Sequence, residues 1–531
     1  MPGTATRSAL GAAVAGLALA AATTAPALAD DLTIGLATEI TAVDPHFHNL
    51  GPNNAFGYHV FDRLINQGPN QELNPGLATS WEPLDDTTWE FRLREGVTFH
   101  DGAPFTAADV RCTIERAPNV PNSPSSFGIY TNQITEVEVV DDHTLRLHTA
   151  EPYPLMASEI STIAVVGCAH KDAPTEAFNS GEAAVGTGPY RFVEWVPGDR
   201  VVLEANPDYW DGAPRWERVT FKPLTSGPAR VAALLAGDVD VIEEVPTTDV
   251  ERLRGEDRIA LSSGISNRVI YLHLDSDRDE SPFVRTKDGG RPLVPNPLRD
   301  RRVREALSKA INREAIVDRV MAGLAIPAGQ LLPEGFFGTV PDLGPDPFDP
   351  EGARELLAGA GHPDGFRLTL HTPNNRYIND EQISQAVAQM LTRVGIQTDV
   401  QAMPSSVFFS RGSNLEFSLM LVGWGAGSGE ASSPLKSLLA TYDKDKGMGA
   451  SNRGRYSNPE MDRLLEEALR TVDDPKREKL LQDATRLAME DYGIIPLHFQ
   501  VNTWGTRKGL KYAPRTDEYT LAMGVEPAEE G

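Results

Sequence analysis

The sequence predicts an α/β protein with more than one domain, and three observations lead to this fold class. Short alternating or β-branched runs, such as 89–93 and 269–274, dominate the first half of the chain and are typical of strands. From about residue 300, apolar residues recur at helical spacing between further strand-like runs. A chain of 531 residues is also longer than a single hydrophobic core usually supports.

The first 29 residues have the pattern of a secretion signal. Arg7 precedes an apolar run over 9–22, and the segment ends in the small-x-small sequence Ala27-Leu28-Ala29. The apolar run is shorter than the roughly 20 residues that a membrane-spanning helix needs. We therefore expect export with cleavage after Ala29. Because the first cysteine is Cys112, no thiol lies near that cleavage point, and we expect a periplasmic protein without a lipid anchor.

Strands make up most of the first half. Besides the two runs named above, we predict strands at 145–147, 201–204 and 219–221. One helix is marked by its start, since Thr106 suits an N-cap and Asp109, three residues later, completes a capping-box pattern. The polar segment 275–300, rich in Pro and Gly, indicates a domain boundary.

Helices and strands alternate in the second half. Apolar stripes at helical spacing lie within 303–311, 383–394, 464–469 and 480–488. Ser457, with Glu460 three residues later, predicts the start of the third stripe. The runs 367–371 and 396–400 flank the helix 381–394, and such a crossover favours a parallel strand pair. We interpret these stripes as core.

Charge and cysteine content narrow the function classes. A net charge of −26 repels nucleic acid and anionic lipid, so neither is an expected partner. No later apolar stretch reaches the roughly 18 residues of a membrane span, and we expect a soluble mature chain. An oxidising compartment would permit a disulfide between Cys112 and Cys168. In the chain-entropy model, such a disulfide would stabilise the folded state by about 4 kcal/mol. Two buried free thiols are the alternative.

Motifs for catalysis or cofactors are missing from the sequence. We find no G-x-S-x-G, H-E-x-x-H, C-x-x-C or Walker-type loop, so we expect neither an enzyme nor a cofactor. Asp275, Asp277 and Asp279 imitate a calcium loop but lack its glycine and its final glutamate. His46, His48 and His59 cluster without clear partner ligands, and we expect no metal site there. The glycines around Trp424 favour close approach of a ligand to the backbone.

Seven blocks of sequence, in order along the chain, resemble one family. They are LATSWEPLDDTTWEFRLREGVTFHDGAPFTAADV (77–110), GTGPYRFVEWVPGDRVVLEANPDYWDGAP (186–214), GDVDVI (237–242), DRRVREALSKAINREAIV (300–317), LLAGAGHPDGFRLTL (356–370), YSNPEMDRLLEEAL (456–469) and IIPLHF (494–499). The chain resembles the family 5 extracellular solute-binding proteins, which include dipeptide-, oligopeptide- and nickel-binding components of ABC transporters.

The resemblance implies a two-lobe periplasmic binding protein fold of type II, in the large cluster with an extra inserted subdomain. Lobe I would take residues 30–270, with the insert at about 77–185, and lobe II residues 271–500. Residues 501–531 would return to lobe I, with crossings near 268–276 and 498–506. Ligand would be buried between the lobes, which close by a hinge.

The resemblance also suggests ligand-binding residues. The loop after the first strand offers His48, the insert offers Phe127 or Tyr130, and the Gly-Trp turn of lobe II offers Trp424. Peptide-binding members usually carry an Asp three residues after that Trp, to hold the peptide's free amine. Here that position is Gly427, and Glu430 is the candidate substitute. The arginine that nickel-chelate members use in the insert finds no match near 160–168.

The expected function is therefore the periplasmic solute-binding component of an ABC importer. It would capture a peptide or peptide-like solute and deliver it, as a monomer, to an inner-membrane permease with ATPase subunits. A non-peptide organic solute, such as an opine, glycoside or amino-acid derivative, is the alternative ligand. A secreted enzyme on the same scaffold and a receptor that serves a sensor remain rival hypotheses.

Overall fold

The computed structural model describes residues 31–528, together with Gly3. The predicted signal peptide over 1–29, apart from Gly3, and its cleavage point lie outside the described residues. In the part that is described, no helix combines the length and the apolar character that crossing a membrane requires.

The first part of the chain forms lobe I and the insert. Its strands are β1 (Asp31–Leu36), β2 (Ile65–Gln67), β3 (Leu73–Pro75), β4 (Ala78–Asp85), β5 (Thr88–Leu93), β6 (Ile134–Asp141), β7 (Thr144–Thr149), β8 (Tyr190–Val196), β9 (Arg200–Ala205), β10 (Arg218–Pro223) and β11 (Val241–Ile242). Its helices are α1 (Gly51–Val60), α2 (Ala107–Arg116), α3 (Gly128–Thr131), α4 (Met156–Ile160), α5 (Thr175–Asn179), α6 (Gly227–Ala236) and α7 (Thr247–Arg254).

The second part forms lobe II and the return to lobe I. Its strands are β12 (Ile259–Leu274), β13 (Val284–Arg285), β14 (Ala325–Pro327), β15 (Phe366–Pro373), β16 (Ile396–Met403), β17 (Leu419–Gly425), β18 (Ile495–Arg507), β19 (Leu510–Tyr512) and β20 (Val525–Pro527). Its α-helices are α8 (Arg301–Lys309), α9 (Arg313–Arg319), α10 (Pro350–Gly359), α11 (Asp380–Arg393), α12 (Ser405–Ser413), α13 (Ser432–Pro434), α14 (Pro459–Ala468) and α15 (Asp474–Glu490).

Two long strands connect the lobes. β12 and β18 pair antiparallel from Ile259–Arg507 to Leu272–Ile495. At one end β18 pairs with β11 of lobe I, and at the other end β12 pairs with β17 of lobe II. One sheet therefore runs through both lobes, in the order β13-β15-β17-β12-β18-β11-β1-β10-β9-β8. The residue limits of the lobes and of the insert stay a prediction.

The insert has a sheet and a core of its own. β4, β5, β7 and β6 form an antiparallel sheet, and α2 contacts β6. The rings of Phe91, Phe105 and Phe127 lie in this core. The predicted capping box at the start of α2 is confirmed, since the Asp109 carboxylate accepts the Thr106 backbone N–H at 2.9 Å. A disulfide ties α2 to the segment after β7, with 5.3 Å between the Cα atoms of Cys112 and Cys168.

Lobe II contains the predicted crossover. β15, α11 and β16 follow one another, and β15 and β16 pair in parallel as expected. The apolar face of α11 packs with α8 and β15 in one cluster, which contains Ile383, Val387 and Leu391. One predicted helix start is wrong by a residue. Asn458, not Ser457, caps α14, because its side chain accepts two backbone N–H groups and Pro459 suits the first helical position.

Candidate ligand-binding cleft

Three strands of lobe I end at one edge of the sheet. β1 runs parallel to both β10 and β11, so their carboxyl ends lie side by side. In open α/β sheets, ligands bind in the crevice outside the carboxyl ends of the strands. Thr38, Thr225, Glu243 and Glu244 follow these ends, and all four line one cavity.

Lobe II supplies the opposite wall. Asn375 and Arg376 follow β15 and line the same cavity. The Asp380 carboxylate accepts the backbone N–H groups of Arg376 at 3.0 Å and Tyr377 at 3.1 Å, which fixes this turn. The Arg376 guanidinium lies over the Tyr377 ring at 5.2 Å from its centroid. The cavity measures about 490 Å³, within the size range of small-ligand sites.

A β-bulge in β12 brings side chains into the cleft. The register of β12 and β18 shifts between Ile265 and Val269, and bulges re-aim side chains in this way. Arg268, inside the bulge, lines the cavity and pairs with Glu518 at 2.6 Å. Its neighbour Asn267 donates to the Ala426 carbonyl of lobe II at 3.1 Å. The bulge thus contacts both walls of the cleft.

The acidic wall of lobe I is held by hydrogen bonds. Glu243 accepts the Ala37 backbone N–H at 2.7 Å and the Thr520 hydroxyl at 2.6 Å. Burial, together with the negative charge of Glu244, raises the pKa of Glu243. Arg230 donates to the carbonyls of Glu243 at 3.1 Å and Glu244 at 3.0 Å. This anchoring holds Glu244 in a left-handed backbone conformation, with φ of 47°.

Two oppositely charged side chains in the cavity have neither an ionic nor a hydrogen-bond partner in the described chain. Within residues 31–528, neither the Arg376 guanidinium nor the Glu244 carboxyl group takes part in a salt bridge or a side-chain hydrogen bond. The neighbouring charges are neutralised, because Arg268 pairs with Glu518 and Arg515 pairs with Asp517. A ligand with separated positive and negative groups would satisfy both free charges.

His48 lies outside the lining of this cavity. It is half-buried, and its Nδ1 atom bonds to the Thr41 hydroxyl at 2.8 Å. The other two histidines of the early cluster point elsewhere, since His46 bonds to the Ala164 carbonyl and His59 to the Ala522 backbone N–H. In the described part of the chain, no group of three or more His, Cys, Asp or Glu residues could hold a metal ion.

The two aromatic candidates of the insert also lie outside the cavity lining. Phe127 is 2% exposed and packs edge-on against His46, at 5.9 Å between ring centroids. Tyr130 packs beside Phe127 at 6.3 Å. Both rings belong to the core of the insert. A role in ligand binding stays a prediction for each.

The lobe II candidates are Trp424, at the end of β17, and Glu430, in the turn after it, and both lie outside the cavity lining. Trp424 packs partly against the lobe II core, and its buried indole N–H has no hydrogen-bond partner among the residues described. Glu430 is 4% exposed and pairs with Arg477 at 2.8 Å. Because this ion pair occupies its carboxylate, Glu430 does not offer a free charge in place of an acid at Gly427.

A second acid faces this turn from the insert. Glu159 on α4 accepts the Tyr153 hydroxyl, and burial raises the pKa of Glu159 to about 8. The Lys436 ammonium opposes that shift and the Glu430 carboxylate adds to it, so both lobe II charges act on Glu159. Gln67 and Gln71 of lobe I donate to the Gly427 carbonyl at 3.2 and 2.9 Å, which brings the lobes together here.

Sequence reasoning missed the charged residues of the cavity. Glu244 follows the GDVDVI block and Arg376 follows the predicted strand 367–371, so both come directly after strand ends. The rule that ligands bind beyond the carboxyl ends of strands would have pointed to them. Without the strand order, however, the sequence does not tell which strand ends meet.

A polar cleft between two lobes that share two crossing strands defines a solute-binding protein. The chain matches the bacterial extracellular solute-binding proteins, family 5 (middle region), over residues 72–446. It belongs to this family, and its fold is the two-lobe type II periplasmic binding protein fold.

Known relatives cover nearly the whole chain. The glutathione-binding protein GsiB of Pectobacterium atrosepticum is 30% identical over 466 residues, which cover 86% of each chain. HbpA2 of Haemophilus parasuis has a TM-score of 0.79 at 24% identity, covering 94% of this chain and 100% of that one. DppA of Helicobacter pylori, solved with the peptide STSA, has a TM-score of 0.73 at 22% identity, covering 94% and 98%. The structural similarities establish the fold.

Proposed function

We propose that this protein captures a peptide or peptide-like solute in its interlobe cleft and delivers it to an ABC importer. The observation that carries the proposal is the 490 Å³ cavity, with a free guanidinium on one wall and a free carboxyl group on the other. Peptides of a few residues carry both complementary charges at their ends. The relatives named for glutathione and the DppA complex with a peptide support the same ligand class.

Arg376 is proposed to bind the carboxylate of the solute. It is the cavity arginine whose guanidinium has neither a salt bridge nor a hydrogen bond in the described chain, because Arg268 pairs with Glu518 and Arg230 donates to backbone carbonyls. Trp424 lies outside the lining of this cavity, so its role in ligand binding stays a prediction.

Calorimetric titration with glutathione and a library of di- to tetrapeptides tests this proposal. We expect micromolar or tighter binding of selected peptides. Arg376→Gln should weaken binding by about 10- to 100-fold, because a charge-assisted hydrogen bond to the ligand is lost. Arg319→Gln is the matched control, as Arg319 is an exposed arginine of lobe II outside the cavity. Peptides amidated at the C-terminus should bind both proteins equally weakly.

Failure of every peptide to bind, with a hit among opines or glycosides, would reject the peptide part and favour the non-peptide alternative. Equal affinities of Arg376→Gln and Arg319→Gln would reject the role of Arg376 alone.

The same proposal includes the localisation and state of the protein. It covers export with cleavage after Ala29, an unlipidated periplasmic monomer and the absence of catalysis. N-terminal sequencing of the secreted protein and light scattering check the cleavage point and the monomer.

A further inference from the structure

One wall of the cavity presents a carboxyl group that no salt bridge or hydrogen bond engages in the described chain. Burial raises the pKa of this group, Glu244, and the charges of Arg230, Arg376 and Arg268 oppose that rise. Of the acids that line the cavity, Glu243 accepts two hydrogen bonds, Glu518 pairs with Arg268, and Asp517 pairs with Arg515. Glu244 lines the cavity without such a partner in the described chain. A free carboxylate in a confined cleft gains most from a cation that the ligand brings.

The backbone around Glu244 is fixed before any ligand arrives. Arg230 is 4% exposed and donates to three carbonyl groups of the wall, those of Leu224, Glu243 and Glu244, at 2.8 to 3.1 Å. Preorganisation of this kind lowers the entropy that binding would otherwise cost. The Glu244 side chain is exposed to the cleft, so a solute reaches it without rearrangement of the core.

The other acids near the cleft already have partners within the protein. Gly427 carries no side chain, and a Cβ atom there would meet nothing within 4 Å. Glu430 is engaged by Arg477, and Glu159 is engaged by the Tyr153 hydroxyl. Among these groups, Glu244 is the carboxyl that is both free and in the cavity with Arg376.

We propose that Glu244 receives the cationic group of the solute, so that lobe I recognises a free ammonium group while lobe II recognises a carboxylate. This inference rests on the proposed function, because it assumes a zwitterionic, peptide-like ligand. It places the two charge-recognising residues on opposite lobes, and the ligand then links the lobes in the closed form.

The test compares a peptide that binds the wild type with its N-acetylated form. Calorimetry on the full chain should show at least tenfold weaker binding of the acetylated peptide. Glu244→Gln, which is nearly isosteric, should weaken the free-amine peptide by about 10- to 100-fold and leave the acetylated peptide unchanged. Glu251→Gln, on the exposed side of α7, is the matched control and should keep the wild-type affinities.

Three outcomes separate the hypotheses. If Glu244→Gln still discriminates between the two peptides as the wild type does, the inference is overturned while the proposed function stands. If Glu159→Gln abolishes that discrimination instead, the amine acceptor lies in the insert and the inference is equally overturned. If the wild type binds no peptide at all, the proposed function fails, and the inference fails with it. Equal thermal stability of the variants excludes misfolding as the cause of lost binding.

Discussion

Buried histidines make this protein sensitive to acid at the scale of single residues. His498 on β18 is 1% exposed, and both of its ring nitrogens lack hydrogen-bond partners within the described chain. Burial lowers the pKa of His498 to about 4, against an ordinary value near 6.5. Between these values the unfolded chain binds a proton that the folded chain does not. The free energy of unfolding therefore decreases as pH falls.

We expect His498→Leu to flatten the acid side of the stability curve. The wild type should lose up to about 3 kcal/mol through this residue as pH falls from 6.5 to 4, and the variant should not. Urea unfolding at several pH values measures the difference in slope, which is independent of any change in stability at neutral pH. Parallel slopes for the two proteins would show that His498 is protonated in the folded state.

At the scale of elements, local signals were readable and long-range ones were not. The capping box of α2 and the β15–α11–β16 crossover were predicted, because their residues are neighbours in sequence. The cap of α14 was misplaced by one residue because Ser457 and Asn458 are both good capping residues. Glu244 and Arg376, 132 residues apart, meet only through the strand order of two lobes, which no local pattern encodes.

The disulfide should stabilise the insert. Cys112 and Cys168 are 56 residues apart in sequence, and closing a loop of that length is worth about 4 kcal/mol in the chain-entropy model. We expect the double variant Cys112→Ser with Cys168→Ser to lower the melting temperature of the insert. Calorimetry of the wild type with and without reductant provides the comparison. A melting profile that reductant leaves unchanged would contradict the prediction.

At the scale of the whole molecule, we expect charges across the lobes to make closure depend on pH. Glu159 on the insert faces Tyr153 on its own side and Lys436 and Glu430 on lobe II. Burial raises the pKa of Glu159 to about 8, from an ordinary value near 4.5. Closure that buries the protonated acid is therefore favoured at low pH. It is progressively disfavoured as pH rises towards 8, with no further change above 8.

Solute affinity should follow this curve. We expect the dissociation constant to rise between about pH 5 and 8, by at most about tenfold per pH unit, and then to level off. Glu159→Gln should remove the part of that dependence that comes from Glu159, since its amide does not titrate, while Glu243 and Glu244 of the cavity titrate in both proteins. Calorimetry over pH 5 to 9 measures both proteins, with a ligand whose own groups keep their charge in that range. An unchanged pH profile in the variant would contradict the prediction.

The bulge at residues 266–268 has a mechanical consequence. Where the β12–β18 ladder is regular, bending would strain inter-strand hydrogen bonds, but at the bulge the pairing is already interrupted, and the register shifts again between Ile270 and Tyr271. The axis about which the lobes rotate should therefore pass through this point. Arg268, which lines the cavity, should then move little while the outer walls swing, so a solute can stay in contact with it throughout entry and release.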